Sequence, residues 1–332
     1  MEGNDLLGRA LMIFEKQVVN TFKNMMHSRC DDLGTAYYYS SDDFPGLQKE
    51  AYPFTSSMGH KLQGYIYNYD NPIPGRLVVF EHGFFGGHRS YMKEIEKLCK
   101  AGYLVFAYDH TGCMESGSET PNGMSQSLRD LNDCISTIKA DSKFAGLDIS
   151  VVGHSWGGFS TMNICALHPE ISHVVSMSGF VSVEVIIGSF FAGLLKPYRK
   201  AILKIETESN PDFVGYNSIE SLSKTDAKVL LIYSDNDQLV RKSIHFDMLK
   251  EGLAHKENIE FLLVKNKGHN PNYTEDAVKY LAEFTTAQGK ATKNKQLETE
   301  EQKKAFVDSF DWDRMTAQDE DVWTKILECL AK

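Results

Sequence analysis

Apolar residues recur at three- and four-residue steps between positions 6 and 26. Leu7, Leu11, Phe14, Val18, Phe22 and Met25 predict an amphipathic helix docked on the body as an N-terminal extension, outside any active site. From about 48 to 115 the period changes to that of strands, expected at 50–55, 61–69, 76–81 and 103–108, with a helix over 90–101 separating the last two. Regular alternation follows: a helix at 125–140, a strand at 148–152, a helix after Ser155 and a strand at 173–177. Strands at 228–233 and 259–264 complete a set of eight, and 274–284 reads as the last core helix. Helix–strand alternation builds a mostly parallel sheet flanked by helices, so an α/β fold is expected.

Two stretches break the alternation. Residues 180–225 are far longer than a usual connection between a strand and its successor. Their first part, 180–195, is almost wholly apolar, but it is too short to span a bilayer and contains Glu184 and two glycines. A helical lid inserted after the sixth strand and lining an apolar pocket is expected there. The second stretch follows Thr285 with a run of charge, then helices near 299–310 and 317–330. Val322, Trp323, Ile326, Leu327 and Leu330 form the apolar face of the last helix, and Thr316 with Asp319 forms its N-cap arrangement. The expected organisation is an N-terminal helical extension (1–47), a core in two pieces (48–179 and 226–285), the inserted cap (180–225) and a C-terminal helical extension (286–332). The terminal helices offer surfaces for a homo-oligomer.

A chain of 332 residues with 42% hydrophobic content buries a full core. Its formal net charge of −10 leaves no basic surface of the kind nucleic acid or anionic lipid would need, so a small-molecule substrate is expected. The cysteines (Cys30, Cys99, Cys113, Cys134, Cys165 and Cys329) lie scattered without a Cys-x-x-Cys pair, which argues against a disulfide framework or zinc site. No cofactor or metal is implied. Glu2 and Asp5 precede the first apolar residue, and Glu15 with Lys16 interrupts the run. That is unlike a secretory signal and makes the cytoplasm the default expectation.

The chemistry centres on Val151-Val152-Gly153-His154-Ser155-Trp156-Gly157-Gly158, where one serine stands between glycines directly after an apolar strand. A strand that turns at once into a helix needs residues without bulk at the bend. The bend exposes the serine hydroxyl, and the helix start aims N–H groups and a positive dipole at developing negative charge. A serine hydroxyl needs a base. His269 stands in Lys267-Gly268-His269-Asn270-Pro271, a loop after the last strand and at the same carboxyl edge as Ser155. His154, His168, His173 and His245 read as packing or surface residues. An acid must orient the base, and the loop Ser234-Asp235-Asn236-Asp237-Gln238-Leu239-Val240 offers Asp237, with Asp235 as its rival; residues two apart in an extended chain face the same way. The glycine-rich His82-Gly83-Phe84-Phe85-Gly86-Gly87 follows another strand and can turn an N–H towards the site, so Phe84 N–H and Trp156 N–H are the expected oxyanion donors. It lacks the Gly-Lys-Ser/Thr and Gly-x-Gly-x-x-Gly registers of phosphate-binding loops.

Over roughly 48–284 the chain resembles the α/β-hydrolase superfamily, through His82-Gly83, Gly153-His154-Ser155-Trp156-Gly157, Asp237-Gln238-Leu239-Val240 and Gly268-His269 in that order. The resemblance implies Ser155 as nucleophile, Asp237 as acid, His269 as base and a lid after the sixth strand. Asp109-His110-Thr111-Gly112 with Ser116 is similar to the family's Asp-x-Arg-Gly-x-Gly-x-Ser turn, with Thr111 in place of the arginine and Met114 in place of the second glycine. Trp156 is also seen in proline iminopeptidase-like members, which carry His-Gly-Gly-Pro-Gly where this chain has His82-Gly83-Phe84-Phe85-Gly86. The expected activity is a serine esterase acting on a carboxylic ester with an apolar acyl or alkyl part. An aminopeptidase or amide or thioester hydrolase is the alternative, and a ligand-binding protein without chemistry is the alternative of another class.

Overall fold

The computed structural model describes residues 2–70 and 72–331, with side chains described from residue 14 onward. Its strands are β1 (Gln48–Ala51), β2 (Phe54–Thr55), β3 (Lys61–Leu62), β4 (Gly64–Asn68), β5 (Arg76–Glu81), β6 (Leu104–Tyr108), β7 (Asp148–His154), β8 (His173–Met177), β9 (Lys228–Ser234) and β10 (Ile259–Val264). Its helices are α1 (Glu2–Met26), α2 (Met92–Lys100), α3 (Gln126–Ala140), α4 (Trp156–Asn163), α5 (Val183–Phe190), α6 (Arg199–Ser209), α7 (Ser218–Ser223), α8 (Phe246–Leu253), α9 (Glu275–Lys293), α10 (Glu300–Asp308), α11 (Trp312–Met315) and α12 (Glu320–Ala331). Eight strands form one sheet in the order β1-β4-β6-β5-β7-β8-β9-β10. β4 runs antiparallel to both its neighbours, β1 and β6, and β6, β5, β7, β8, β9 and β10 run parallel.

The expected first two strands each divide. Pro53 has no N–H to donate to a ladder, and the chain leaves the main sheet there to form β2. The second divides at Gln63, whose N–H donates to Ser116 Oγ at 2.8 Å and whose carbonyl accepts from Asp109 N at 3.0 Å. Gln63 thus ties the turn after β6 to the sheet, and β2 pairs with β3 as a separate ribbon.

Strand alternation puts a different core on each face. Leu77, Val79 and Val151 pack with α3, α4 and the insertion between β8 and β9. Val78, Phe80 and Val152 pack with α2 and α12. Trp323, Ile326 and Leu330 of α12 are buried against the second face, each worth about 1.5–3 kcal/mol of transfer free energy. Its N-cap differs from expectation. Asp319 Oδ1 accepts from Asp321 N and Val322 N at 3.1 Å, whereas the Thr316 hydroxyl turns back to the Trp312 carbonyl at 2.7 Å. α9 runs well past 284, so the expected boundary at 285 falls inside a helix. Phe284 and Ala291 keep one row of it buried through the charged stretch. On α1 the side chains of Leu7 and Leu11 lie outside the described residues. Phe22 and Met26, one turn apart, are buried, while Phe14 and Met25 stay about half exposed, the Phe14 ring packing 5.5 Å from that of Tyr198.

Candidate active site

Ser155 lies between β7 and α4 with φ 55° and ψ −109°, a left-handed conformation that costs a non-glycine residue about 1–3 kcal/mol. Its neighbours make the bend possible. A Cβ on Gly153 would lie 2.4 Å from Thr161 Oγ1, and one on Gly157 would lie 2.3 Å from the Glu81 carbonyl, so neither position has room for a side chain. The Ser155 N–H donates to the Met177 carbonyl at 2.8 Å, which locks the bend to β8.

The loops after β9 and β10 meet this serine. His269 Nε2 lies 2.8 Å from Ser155 Oγ, and His269 Nδ1 lies 2.8 Å from Asp237 Oδ2. Asp237 is buried, and its Oδ1 accepts from the N–H groups of Leu239 and Val240 at 2.8 and 3.1 Å. Burial pushes the Asp237 carboxyl up, but the His269 hydrogen bond and charge and the two N–H donors outweigh it, and its pKa falls below the usual carboxylate value. The carboxylate therefore remains an acceptor, so Nδ1 carries the proton and Nε2 is free to accept from the serine hydroxyl. Asp235, the rival, is exposed and accepts instead from Asn266 N at 2.9 Å, tying the β9 and β10 loops together.

The glycine-rich loop after β5 is held by its first peptide. His82 Nδ1 donates to the Gly83 carbonyl at 2.8 Å, while its Nε2 accepts from His110 N at 2.9 Å. Burial, reinforced by His110, depresses the pKa of His82 to about 3 and keeps it neutral for this pairing. The Gly83 N–H donates to Tyr91 Oη at 3.0 Å. Among the described residues, neither the backbone N–H of Phe84 nor that of Trp156 has a hydrogen-bond partner, while the Trp156 indole N–H donates to the Met124 carbonyl. Trp156 opens α4, where the first N–H groups lack an intrahelical acceptor. The Phe84 and Trp156 rings pack at 4.4 Å.

Sequence reasoning missed what joins these loops. His154 Nε2 donates to the His269 carbonyl at 2.7 Å, which leaves Nδ1 to accept from Tyr91 Oη at 2.8 Å. A continuous chain thus runs from Gly83 N–H through Tyr91 and His154 to the backbone of His269. Burial, then the neighbouring His269, pushes His154 down to about 3, so it stays neutral and its tautomer is set. His154 was expected to be a packing residue. Being first in line before the serine was its only sequence signal, and Tyr91 carried none.

A cavity of about 460 Å³ opens on the serine. Ser155, His154, His269 and Tyr91 supply its polar side chains; the other lining side chains are mostly apolar, from Phe84, Met124, Trp156, Phe180, Ile186, Phe191 and Val240 among others. Phe22, Met25 and Met26 of α1 also line it, which corrects the expectation that the N-terminal helix stands outside the site. The buried carboxylate of Glu206 on α6 explains the placement. It accepts from Met124 N at 2.6 Å and lies 3.2 Å from His27 Nε2, clamping the end of α1 and the insertion over the cavity.

A serine turn at the carboxyl edge of such a sheet, met there by loops from the next strands in the order aspartate, histidine, belongs to an α/β-hydrolase fold. Residues 72–266, more than half of the chain, match the family described as serine aminopeptidase, S33, and the chain belongs to that family of hydrolases. Its structure is similar to an esterase of Pyrococcus furiosus, with a TM-score of 0.58 and 20% identity over 81% of this chain and 98% of that one. It is also similar to an acetyl xylan esterase from Paenibacillus sp. R4, with a TM-score of 0.53 and 17% identity over 70% and 82% of the two chains. In sequence it is 25% identical over 128 residues to the Bacillus subtilis (strain 168) protein named "Uncharacterized protein YqkD". That match spans 38% of this chain and 41% of the relative, so less than half the relative's length is covered. Among the described residues, no helix is long and apolar enough to cross a membrane.

Proposed function

We propose that the protein hydrolyses carboxylic esters with an apolar acyl or alkyl part through an acyl-enzyme on Ser155. The observation that carries the reading is the 2.8 Å contact of Ser155 Oγ with His269 Nε2, backed by Asp237 at 2.8 Å, at the floor of an apolar cavity. Ser155 Oγ attacks the ester carbonyl carbon as its proton passes to His269 Nε2, and Asp237 stabilises the imidazolium. The carbonyl oxygen becomes an oxyanion received by Phe84 N–H and Trp156 N–H. Collapse breaks the C–O bond, and His269 returns the proton to the departing alkoxide. Water, deprotonated by His269, then attacks the acyl-enzyme, and the acid leaves with Ser155 restored. Residues 180–225 act as the cap, in which Phe180, Ile186, Phe190 and Phe191 shape the acyl site.

An ester fits better than an aminoacyl amide. No Asp or Glu lines the cavity among the described residues, so nothing there would receive the ammonium of a free amino terminus. Turnover of p-nitrophenyl esters of increasing chain length, beside aminoacyl p-nitroanilides, tests this preference. Ser155→Ala is expected to abolish turnover and labelling by a fluorophosphonate. Full turnover by that variant would overturn the mechanism, and failure of folded wild-type protein to label would favour a binding protein without chemistry.

A further inference from the structure

Met25, Phe85, Phe190 and Leu239 both line the cavity and stand exposed, so they form its rim. They come from four separate parts of the chain: α1, the loop after β5, α5 and the loop after β9. Large apolar side chains exposed singly need no explanation, but four around one opening form a contiguous patch of the kind that marks an interaction surface. Four residues beyond Phe190 the chain exposes a further large apolar side chain. Leu194, 96% exposed, lies on a 3-10 turn, Gly193–Tyr198, that follows α5 and packs against α1.

Charge follows the same path. Residues 185–204 contain Lys196, Arg199, Lys200 and Lys204 and no acidic residue, in a chain whose formal net charge is −10. Arg199 is occupied by the carbonyls of Gly188 and Phe191, and Lys204 lies 3.6 Å from Glu208. Lys196 and Lys200 are exposed and make no ion pair among the described residues. The net charge, from which the expectation of no surface for an anionic lipid was drawn, averages over this local distribution.

We propose that the cavity rim, with Leu194, Lys196 and Lys200, docks the protein on an anionic lipid surface with the cavity mouth against the bilayer. Apolar side chains enter the boundary between headgroups and acyl chains while the two lysines meet the anionic headgroups. The acyl chain of an ester substrate then passes from the bilayer into the cavity without crossing water. This last step rests on the ester reading above; docking itself needs no chemistry.

Sedimentation of full-length Ser155→Ala protein with vesicles of phosphatidylcholine, alone or mixed with phosphatidylglycerol, separates the two. Binding is expected to the mixed vesicles and to weaken as salt rises. The double variant K196E/K200E is expected to lose about tenfold or more in that binding, and Leu194→Glu is expected to weaken it too. In the Ser155 background, both should keep wild-type turnover of a soluble short-chain ester and wild-type unfolding midpoints. Absence of binding, equal binding to both vesicle types, or unchanged binding of both variants would overturn the docking proposal. Vesicle binding by a wild-type protein that turns over no ester would overturn the ester reading and leave docking standing.

Discussion

Removing one hydroxyl, by Tyr91→Phe, tests how the loops around Ser155 are held. Tyr91 Oη accepts from Gly83 N at 3.0 Å and donates to His154 Nδ1 at 2.8 Å, so the variant orphans a donor on one loop and an acceptor on another. An unsatisfied buried polar group costs about 1–3 kcal/mol. Tyr91 borders the cavity, so water entering from that side offsets part of the loss. A net destabilisation of about 2 kcal/mol is expected, lowering the unfolding midpoint by about 3 °C in a chain of 332 residues. The freed Gly83 peptide no longer fixes the direction of the next one, which carries Phe84 N–H. Losing an oxyanion donor outright costs about 10²–10³-fold in rate, and mispositioning one should cost about tenfold. The fall should appear in kcat, with KM for an apolar ester unchanged, because the apolar walls are untouched. Steady-state hydrolysis of p-nitrophenyl butyrate beside thermal unfolding reads both quantities. A variant that matched wild type in kcat and in unfolding midpoint would refute the linkage.

Asp237→Asn should lower kcat by roughly 10³–10⁴-fold, because an amide favours the wrong tautomer of His269, as steady-state kinetics would show. In the wild type the lowered Asp237 pKa adds stability that is present above the ordinary value of about 3.9 and lost as pH falls through the folded value. Acid unfolding of Asp237→Asn should lack that contribution. Gly157→Ala places a Cβ 2.3 Å from the Glu81 carbonyl, which is backbone and has little room to move, so a loss of about 3 kcal/mol or more is expected by urea unfolding. Burial lifts Glu81 to about 7 against the opposing pull of His110, with Tyr108, Ser160 and Asp130 also facing it. Its stability contribution is therefore complete below about 4.3 and lost as pH rises through about 7, and Glu81→Gln should flatten the fall in wild-type unfolding midpoint over that range.

The sheet was readable because parallel strands buried on both faces leave short apolar runs, as at 76–81, 148–154 and 228–234. The serine turn was readable because its glycines are demanded by backbone contacts that no side chain can occupy. Gln63 was not, since its departure from the ladder depends on Ser116 and Asp109, far along the chain. The choice between Asp235 and Asp237 also waited on loop geometry, because two residues of the same type and spacing differ only in where the turn aims them. Phe22 and Met26 were legible as an apolar row on α1, but a row reveals nothing of what it faces. Glu206 with His27 and Met124, the bonds of Arg29 and Cys30 to the loop after β6, and the Phe22–Phe191 ring contact together place that row beside Ser155.

That placement has a consequence for how the molecule is made and handled. The cavity draws one wall from α1, which precedes every strand in chain order, and its histidine from a loop after the last strand. On the ribosome, α1 must wait until the later strands are made before the surface it covers exists. Cuts or fusions within α1 therefore act on the chamber itself. A chain cut within α1 that still folds and still displays its serine should show altered selectivity among acyl lengths, so chain-length preferences are meaningful only when measured with α1 in place.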